Sequence, residues 1–241
     1  KADLINKHTL FDSEAKVKFG GSYTYKSRDF IIHRYSFPLL NIANDFANGD
    51  PDQIFADQNM YDANLNSGVF VRRDSGISDS FESQMNIASA YVSEEFKITE
   101  WFNAIAGLRY EKFQLIYSGQ RQDGTNLTKA TIIDKNDLFP SANLIFDLNE
   151  DGSQKVRTSY AKTTARPSFK EASLAEIFDP INNTFFIGNI NIQPTYINNF
   201  DLRYEKYGDK GDFYAISGFY KSFKDPIELS FIRSATGQFT P

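Results

Sequence analysis

Residues 15–25, with the sequence AKVKFGGSYTY, alternate strictly between two kinds of side chain. The odd-numbered positions carry mostly apolar and aromatic residues, and the even-numbered positions carry lysine, glycine, serine and threonine. Because successive side chains of a β-strand point to opposite faces, this period of two indicates a strand. The stretch therefore predicts one long strand with an apolar face and a polar face.

The same alternation returns along the chain. It is clear in residues 102–111 and 196–206 and weaker in 138–148. Further strands are predicted at about 82–97, 154–164 and 212–223, which makes seven. The predicted apolar face includes Phe102, Leu108, Phe200, Leu202 and Tyr204, and the predicted polar face includes Arg109, Arg203 and Glu205.

The connections between these strands alternate between short and long. Short links rich in turn-forming residues fall at 97–100, 149–154 and 207–212, and long links fall at about 33–80, 118–136, 165–195 and after 224. Antiparallel up-and-down strands with tight turns at one end and long loops at the other are typical of a transmembrane β-barrel. The length of the spans favours a tilted membrane crossing, with the apolar face toward lipid and the polar face toward the lumen. A Greek-key sandwich remains an alternative at this point.

Composition narrows the class of function. The 241 residues include 23 Phe and 13 Tyr but no Cys, which excludes disulfides, Cys-ligated metals and Cys nucleophiles. The net charge of −5 gives no support for nucleic-acid binding. His8 and His33 lack a second ligand at a recognisable spacing, and residues 147–152 resemble half an EF-hand loop but have Thr158 where a glutamate is required. We predict no catalytic residue, no metal site and no cofactor, and we expect that the protein is not an enzyme.

Three stretches carry a resemblance to a known family: DLFPSANLIFDL (137–148), VRTSYAKTTARPSFKE (156–171) and the long run from Asn198 to Glu228. Together they resemble the barrel of TonB-dependent outer-membrane receptors, over nearly the whole chain. The resemblance implies an all-β, antiparallel, up-and-down transmembrane barrel portion of seven or eight strands, with short helices in the extracellular loops. It also implies that residues 1–241 are part of one barrel domain, whose plug domain and remaining strands are not in this sequence.

The resemblance further implies a bacterial outer-membrane receptor that imports a scarce nutrient with energy from the TonB system. Its partners would be the TonB energy-transducing complex, acting through the plug, outer-membrane lipid, and a small-molecule or oligomeric nutrient such as a siderophore, vitamin, oligosaccharide or peptide. The alternative is a small independent outer-membrane barrel of eight strands with a structural or adhesive role, in which 226–233 would supply the eighth strand.

Two segments of the predicted loops hold the candidate functional residues. Arg166, Pro167, Ser168 and Phe169 form a motif that in the family closes a strand, and the Ser168–Glu171 spacing predicts a helix over 168–178. Asp50 before Pro51 predicts another short helix over 51–57. Aromatic and arginine side chains in loops bind ligands by stacking and hydrogen bonds, although they also pack loops together. The predicted ligand-binding candidates are Tyr61, Phe70, Arg72, Arg73, Phe185 and Phe186.

Overall fold

Eight long strands form one antiparallel sheet in which each strand pairs with its neighbours in sequence. The structure is a computed structural model that describes residues 1–42, 46–74, 76–121, 123–179, 181–233 and 239–240. The strands are β1 (Ala2–Leu10), β2 (Ser13–Ile31), β3 (Ser80–Thr99), β4 (Phe102–Gln120), β5 (Asn126–Asp147), β6 (Gln154–Ala165), β7 (Thr195–Tyr207) and β8 (Phe213–Lys224). The predicted all-β, up-and-down barrel portion is therefore confirmed, and the sheet is open in the order β1 to β8.

Tight turns gather at one end of the sheet. They join β1 to β2, β3 to β4, β5 to β6 and β7 to β8. The backbone amide of Tyr207 donates to the carbonyl oxygen of Ser153 at 2.8 Å, which places the last two of these turns side by side. Gly152 and Gly211 have φ angles of +66° and +84°, which glycine adopts without steric cost. The prediction that 149–153 and 207–211 lie at the same end is confirmed.

The strands differ from the prediction in three places. The N-terminal strand β1 was not predicted, and residues 226–233 do not supply the eighth strand: Ile232–Arg233 pairs instead with Phe239–Thr240. The predicted long link 118–136 was wrong, because β4 and β5 continue to a short connection at 121–125. Leu115, Tyr117 and Ile133 are almost fully buried there, so continued pairing removes apolar surface from water.

The connection 32–79 carries short elements of its own. Arg34–Ser36 pairs with Arg72–Asp74, and Leu39–Leu40 pairs with Gly68–Val69. A 3-10 helix at Phe46–Gly49, an α-helix at Pro51–Ile54 and a 3-10 helix at Asp57–Asn59 lie between them. The helix predicted over 51–57 is present in shorter form, and the Asp50 carboxylate caps it by accepting from the Asp52 amide at 3.0 Å.

The helix predicted over 168–178 was wrong. The capping bonds do form: Ser168 N donates to Glu171 Oε2 at 2.7 Å, and Glu171 N donates to Ser168 Oγ at 3.3 Å. The helix ends after one turn because its next hydrogen-bonding groups are already used. Glu171 O accepts from Asn189 N at 2.7 Å, and Leu174 N donates to the hydroxyl of Tyr117 at 2.9 Å. The chain continues as a hairpin of two short strands, Glu176–Asp179 and Thr184–Ile187.

The sheet has two distinct faces. Strand pairing places Phe102, Leu108, Phe200, Leu202 and Tyr204 on one face and Arg109, Arg203 and Glu205 on the other, because paired and alternate residues share a face. On the second face Glu205 is buried and contacts Arg157, Arg203 and Tyr207 through its carboxylate. Residues 166–194 pack over the same face, against Phe113, Leu115 and Tyr117. Among the described residues, no helix is long and apolar enough to span a membrane.

Candidate ligand-binding surface

The motif Arg166–Phe169 begins where β6 ends at Ala165. The guanidinium of Arg166 contacts the carboxylate of Glu111 and lies 5.3 Å from the ring centroid of Phe113. Glu111 is only 5% exposed and has Arg109 as a second cation at 3.7 Å. The barrel wall thus holds the first residue of the connection through a buried ion pair.

The residues after this ion pair are docked against the barrel. Ala172, Ser173, Leu174 and Ala175 are buried, and Phe169 packs against the two apolar clusters beneath them. A Cβ atom on Gly188 would lie 2.5 to 2.8 Å from the carbonyl oxygens of residues 170, 171 and 173. Only glycine allows the backbone to approach this closely, so the return of the chain past 188 depends on that residue.

A second wall stands opposite the hairpin of residues 176–187. The hydroxyl of Thr195 donates to Asp225 O at 2.8 Å and accepts from Ile227 N at 3.1 Å. Thr195 is 4% exposed, so both bonds are shielded from water. They fix the start of the segment 226–231, which follows β8, beside the hairpin.

Between these two walls lies an open cleft, called here the loop cleft, with two lobes that share Phe186 and Leu229. The first lobe has a volume of about 720 Å³ and is also lined by Lys170, Asp179, Asn182, Thr184 and Phe231. The second lobe has a volume of about 540 Å³ and is also lined by Glu171, Ile187, Gly188, Asn189, Ile192, Ile227, Glu228 and Ser230. Volumes of this order hold small organic ligands.

Both charged side chains of the first lobe, Asp179 and Lys170, already interact with neighbouring groups. Asp179 accepts hydrogen bonds from Ile181 N at 2.9 Å and from the side chain of Asn182 at 2.8 Å. The bond from Asn182, followed by that from Ile181, lowers the pKa of the Asp179 carboxyl. The ammonium of Lys170 lies 4.0 Å from the ring centroid of Phe186 and, among the described residues, has no carboxylate within ion-pair distance. Lys170 thus lies over the Phe186 ring, and its charge also contributes to lowering the pKa of Asp179.

The six predicted ligand-binding residues fall into separate places. Phe186 lines the loop cleft, whereas the ring of Phe185 packs 5.1 Å from that of Phe178. Tyr61 and Phe70 pack edge to face at 5.9 Å in the connection 32–79. In the same connection, Arg72 donates to Asp74 at 2.8 Å and Arg73 lies 2.7 Å from His33 Nδ1.

One side chain links the two connections. Arg34 forms an ion pair with Asp79 at 2.7 Å and donates to Glu176 O at 3.4 Å, where the hairpin begins. Sequence reasoning missed this link, and it missed Lys170, Leu229 and Phe231 as lining residues. Lys170 directly follows the Arg166–Phe169 motif, but no pattern in the sequence pairs Phe186 with the segment after β8. Over the described ranges, no cluster of three or more His, Cys, Asp or Glu side chains is placed to hold a metal ion.

Comparison with solved structures shows the same fold at low sequence identity. The chain is similar to the ferric-catecholate import receptor Fiu of E. coli K12, with a TM-score of 0.52 at 14% identity over 98% of the chain. It is also similar to a double mutant of the Serratia marcescens hemophore receptor HasR, solved with its hemophore HasA and heme, with a TM-score of 0.51 at 12% identity over 95% of the chain. No curated protein sequence matches.

The chain spans about a third of each of these two structures, 32% of Fiu and 37% of HasR. Residues 52–240 match the sequence profile of the outer membrane protein beta-barrel family, which covers more than half of the chain. The resemblance to receptor barrels noted in the sequence is thereby confirmed at the level of family and fold. The chain belongs to the outer membrane protein beta-barrel family and is located in the bacterial outer membrane.

Proposed function

We propose that this chain forms part of the wall and the ligand-capturing loops of a receptor that imports a scarce nutrient with energy from the TonB system. One observation carries the proposal. At the end opposite the tight turns, residues 166–194 are docked over the polar face of the sheet and hold an open cleft. A cleft built on a loop that is docked against the barrel wall is suited to capturing a solute before transport, because the part of a site that is fixed in advance loses little conformational entropy on binding.

The similar structures support import over other roles. Fiu is described as an import receptor and HasR as a hemophore receptor. The nutrient would be a siderophore, vitamin, oligosaccharide or peptide, and the TonB complex would act through a plug domain as the second partner. A transport role of this kind requires no catalytic residue.

The alternative, a small independent barrel with a structural or adhesive role, requires the sheet to close on itself. In the described part of the chain the sheet order runs from β1 to β8, and these two end strands do not pair with each other. Open strand edges carry unsatisfied backbone groups that are costly in lipid. The open sheet therefore favours a larger barrel in which further strands pair with β1 and β8.

Uptake measurements test the proposal. A strain that lacks the gene should fail to grow when its nutrient is supplied at limiting concentration, and a strain that lacks TonB should show the same defect while its cells still bind the nutrient. Growth that is independent of both genes on all iron, vitamin, carbohydrate and peptide sources would contradict an import role and favour the small barrel.

Spin labels test the orientation toward lipid. We expect a label at position 202 to be quenched by a lipid-soluble reagent and a label at position 203 to be protected, because Leu202 is 57% exposed on the apolar face and Arg203 lies on the opposite face. Equal quenching at the two positions would contradict this orientation.

A further inference from the structure

Three tyrosine–asparagine pairs recur on the apolar face of the sheet. In each pair, a tyrosine on a strand that rises from the tight turns donates its hydroxyl to an asparagine on the next strand. The pairs are Tyr23 with Asn86 at 2.7 Å, Tyr110 with Asn136 at 2.7 Å and Tyr160 with Asn198 at 2.9 Å. Each asparagine lies two residues farther from the tight turns than the residue directly opposite its tyrosine. The three pairs together are called here the Tyr–Asn belt.

The belt separates an apolar part of this face from a polar part. Between the tight turns and the tyrosines, the side chains are mostly apolar, as in Phe19, Val92, Leu108, Ala142, Phe200 and Leu202. Beyond the tyrosines they are mostly polar or charged, as in Ser27, Asp29, Glu82, Gln84, Lys112, Gln114, Asp134 and Lys162. Glu94 interrupts the apolar part and forms an ion pair with His8 at 3.0 Å. A change of this kind along successive strands indicates the edge of a lipid-facing band.

The belt runs obliquely across the strands. Through strand pairing, Tyr23 is level with Lys112 of β4, whereas Tyr160 is level with Ala106 of β4. The belt therefore drops by six residues, about 20 Å along a strand, over the four strand spacings from β2 to β6, which are about 19 Å. The strands are thus tilted by about 45° from the normal to the belt. Strands of membrane barrels are tilted by about 35–45°, so the belt follows a plane parallel to the membrane.

The height of the apolar part agrees with this plane. Asn86 lies ten residues before Phe96 on β3, and Asn136 lies ten residues before Phe146 on β5. Phe146 stacks on Phe102 at 4.6 Å near the tight turns, which marks the other edge of the band with aromatic rings. Ten residues extend about 33 Å along a strand, and the tilt reduces this to about 23 Å perpendicular to the membrane. The apolar band of membrane barrels is about 25 Å high.

We propose that the Tyr–Asn belt binds the phosphate oxygens of lipid headgroups in the outer leaflet, an inference that does not depend on the import function. Tyrosine is suited to this position because its ring is apolar and its hydroxyl is polar. The hydroxyl orients the asparagine by donating to its carbonyl oxygen. The amide nitrogens of the three asparagines make no hydrogen bond among the described residues, and they donate to the headgroups.

This boundary places the candidate ligand-binding surface outside the membrane. β4 continues for ten residues beyond Tyr110, and β5 begins ten residues before Asn136. These ends extend about 33 Å along the strands beyond the belt. Leu115 and Tyr117, against which residues 166–194 pack, lie on this part of β4. The docked loop is therefore held by a hairpin that stands in water above the lipid.

Spin labels on the intact protein in vesicles of phosphatidylglycerol test the position of the boundary. Leu108 and Lys162 are level, since the residues before them, Gly107 and Ala161, both pair with Ser141. Leu108 nevertheless lies on the apolar side of Tyr110, and Lys162 lies on the polar side of Tyr160. We expect oxygen, which concentrates in lipid, to relax a label at 108 and a water-soluble nickel chelate to relax a label at 162. Equal accessibility of the two labels would overturn the oblique boundary.

A nearly isosteric substitution tests the contact with headgroups. Asn136→Asp keeps an acceptor for the Tyr110 hydroxyl but replaces the amide donor with a charged oxygen that repels phosphate. We expect a lower urea midpoint of unfolding than that of the wild type in the same vesicles. In dodecyl maltoside micelles, which contain no phosphate, the two midpoints should be equal. Asn198→Asp repeats the test in the third pair, and heat modifiability on electrophoresis shows that each variant is folded.

Gln84→Glu is the matched control, because it adds the same charge to the same face two residues beyond Asn86. Its midpoint in vesicles should stay close to that of the wild type. An equal decrease in Gln84→Glu and Asn136→Asp would mean that any negative charge near the lipid has this effect. A decrease of Asn136→Asp that is as large in micelles as in vesicles, or no decrease in either, would show that the asparagines act only within the sheet. Each of these results would overturn the inference.

Discussion

The connections 32–79 and 166–194 rise from the same end of the sheet but are held in different ways. In the longer one, the α-helix Pro51–Ile54 contains no buried residue, and its aromatic pairs, Phe37 with Phe55 and Tyr61 with Phe70, lie within the connection itself. The shorter one places Ala172, Leu174 and Ala175 in the apolar clusters of the barrel wall. The shorter connection is therefore the more firmly attached to the barrel.

The difference shows that length does not decide how a loop is held. Residues 172–175, ASLA, are buried against β3 and β4. The Leu174 amide donates to Tyr117 on the barrel, and the carbonyl of the preceding Glu171 accepts from Asn189 N on the returning chain. The connection 32–79 is rich in Asn and Asp, which satisfy the backbone locally through turns such as that of Asp62 with Asn64. Among its described residues, Arg34 at its base bonds to the hairpin of the other connection. We expect docked residues 166–194 to shape the cleft and residues 32–79 to move more freely.

Loss of the buried ion pair between Glu111 and Arg166 should produce the largest change in how firmly residues 166–194 are attached to the barrel. Glu111→Ala leaves the charge of Arg166 without its buried partner, which typically costs about 3 to 5 kcal/mol. We expect residues 166–194 to leave the barrel wall and trypsin to cleave after Lys170 in detergent, detected by mass spectrometry. Asp74→Ala removes an exposed ion pair with Arg72 in the other connection and should change its cleavage little.

The double variant Glu111→Met with Arg166→Met sharpens the same test. Both partners become apolar, so no buried charge is left unpaired and much of the docking should return. Equal cleavage in Glu111→Ala and Asp74→Ala would contradict the role of the ion pair. Equal cleavage in the double and the single variant would show that the pair is needed for its specific geometry.

Glycine substitutions compare the two connections at the backbone. The methyl group of Gly188→Ala would meet three carbonyl oxygens that cannot easily move, and overpacking of this kind costs about 1 to 3 kcal/mol. Gly49 has a φ of +78° with open space around it, so Gly49→Ala strains only the local backbone. We expect faster amide hydrogen exchange over 169–190 in Gly188→Ala and no change there in Gly49→Ala. Similar exchange in the two variants would mean that the close approach at Gly188 does not hold the loop.

Most of the sheet was predictable, because a strand with one buried or lipid-facing face must alternate. β2 was found in this way from its strict alternation at 15–25, and the turns at 152 and 211 were found from their Gly, Asp and Asn residues. β1 was missed because its apolar residues Leu4 and Ile5 fall on opposite faces and hide the period. The outer ends of β4 and β5 were not predicted. Leu115, Tyr117 and Ile133 are covered there by residues 166–194, and the sequence of the strands does not reveal this contact.

The docked loop was the least predictable part. Ser168 and Glu171 carry a true capping signal, and both bonds form, but a hydroxyl from β4 and an amide from residue 189 end the helix after one turn. Those partners are distant in sequence, so no local pattern could reveal them. The cleft was hidden for the same reason, since Phe186 and Leu229 are distant in sequence and the segment after β8 is held by the bonds of Thr195.

A single hydroxyl tests the hydrogen bond that ends the helix. Tyr117→Phe removes the acceptor of the Leu174 amide in a buried site, which should cost about 1 to 2 kcal/mol while the ring keeps its packing. We expect faster exchange of the Leu174 amide. Tyr61→Phe removes an exposed 3.4 Å bond to Asn66 in the other connection and serves as the control. An unchanged Leu174 amide in Tyr117→Phe would show that another group accepts its hydrogen bond.

Acid should produce the smallest effect and should separate the tip of the docked loop from its stem. Hydrogen bonds from Asn182 and Ile181 hold the pKa of Asp179 below its ordinary value, so the folded turn favours the ionised carboxylate. The stabilisation is complete above the unfolded pKa of about 4 and is lost as the pH falls through the lower folded pKa. Between pH 5 and 2, or thereabouts, we expect the amides of Ile181 and Asn182 to lose protection while that of Leu174, bonded to Tyr117, keeps it. Asp179→Asn should remove this pH dependence at the tip, with exchange rates corrected for the intrinsic effect of pH. Loss of protection at Leu174 over the same range would mean that tip and stem open together, and residues 166–194 would then be a single cooperative unit instead of a fixed stem with a separable tip.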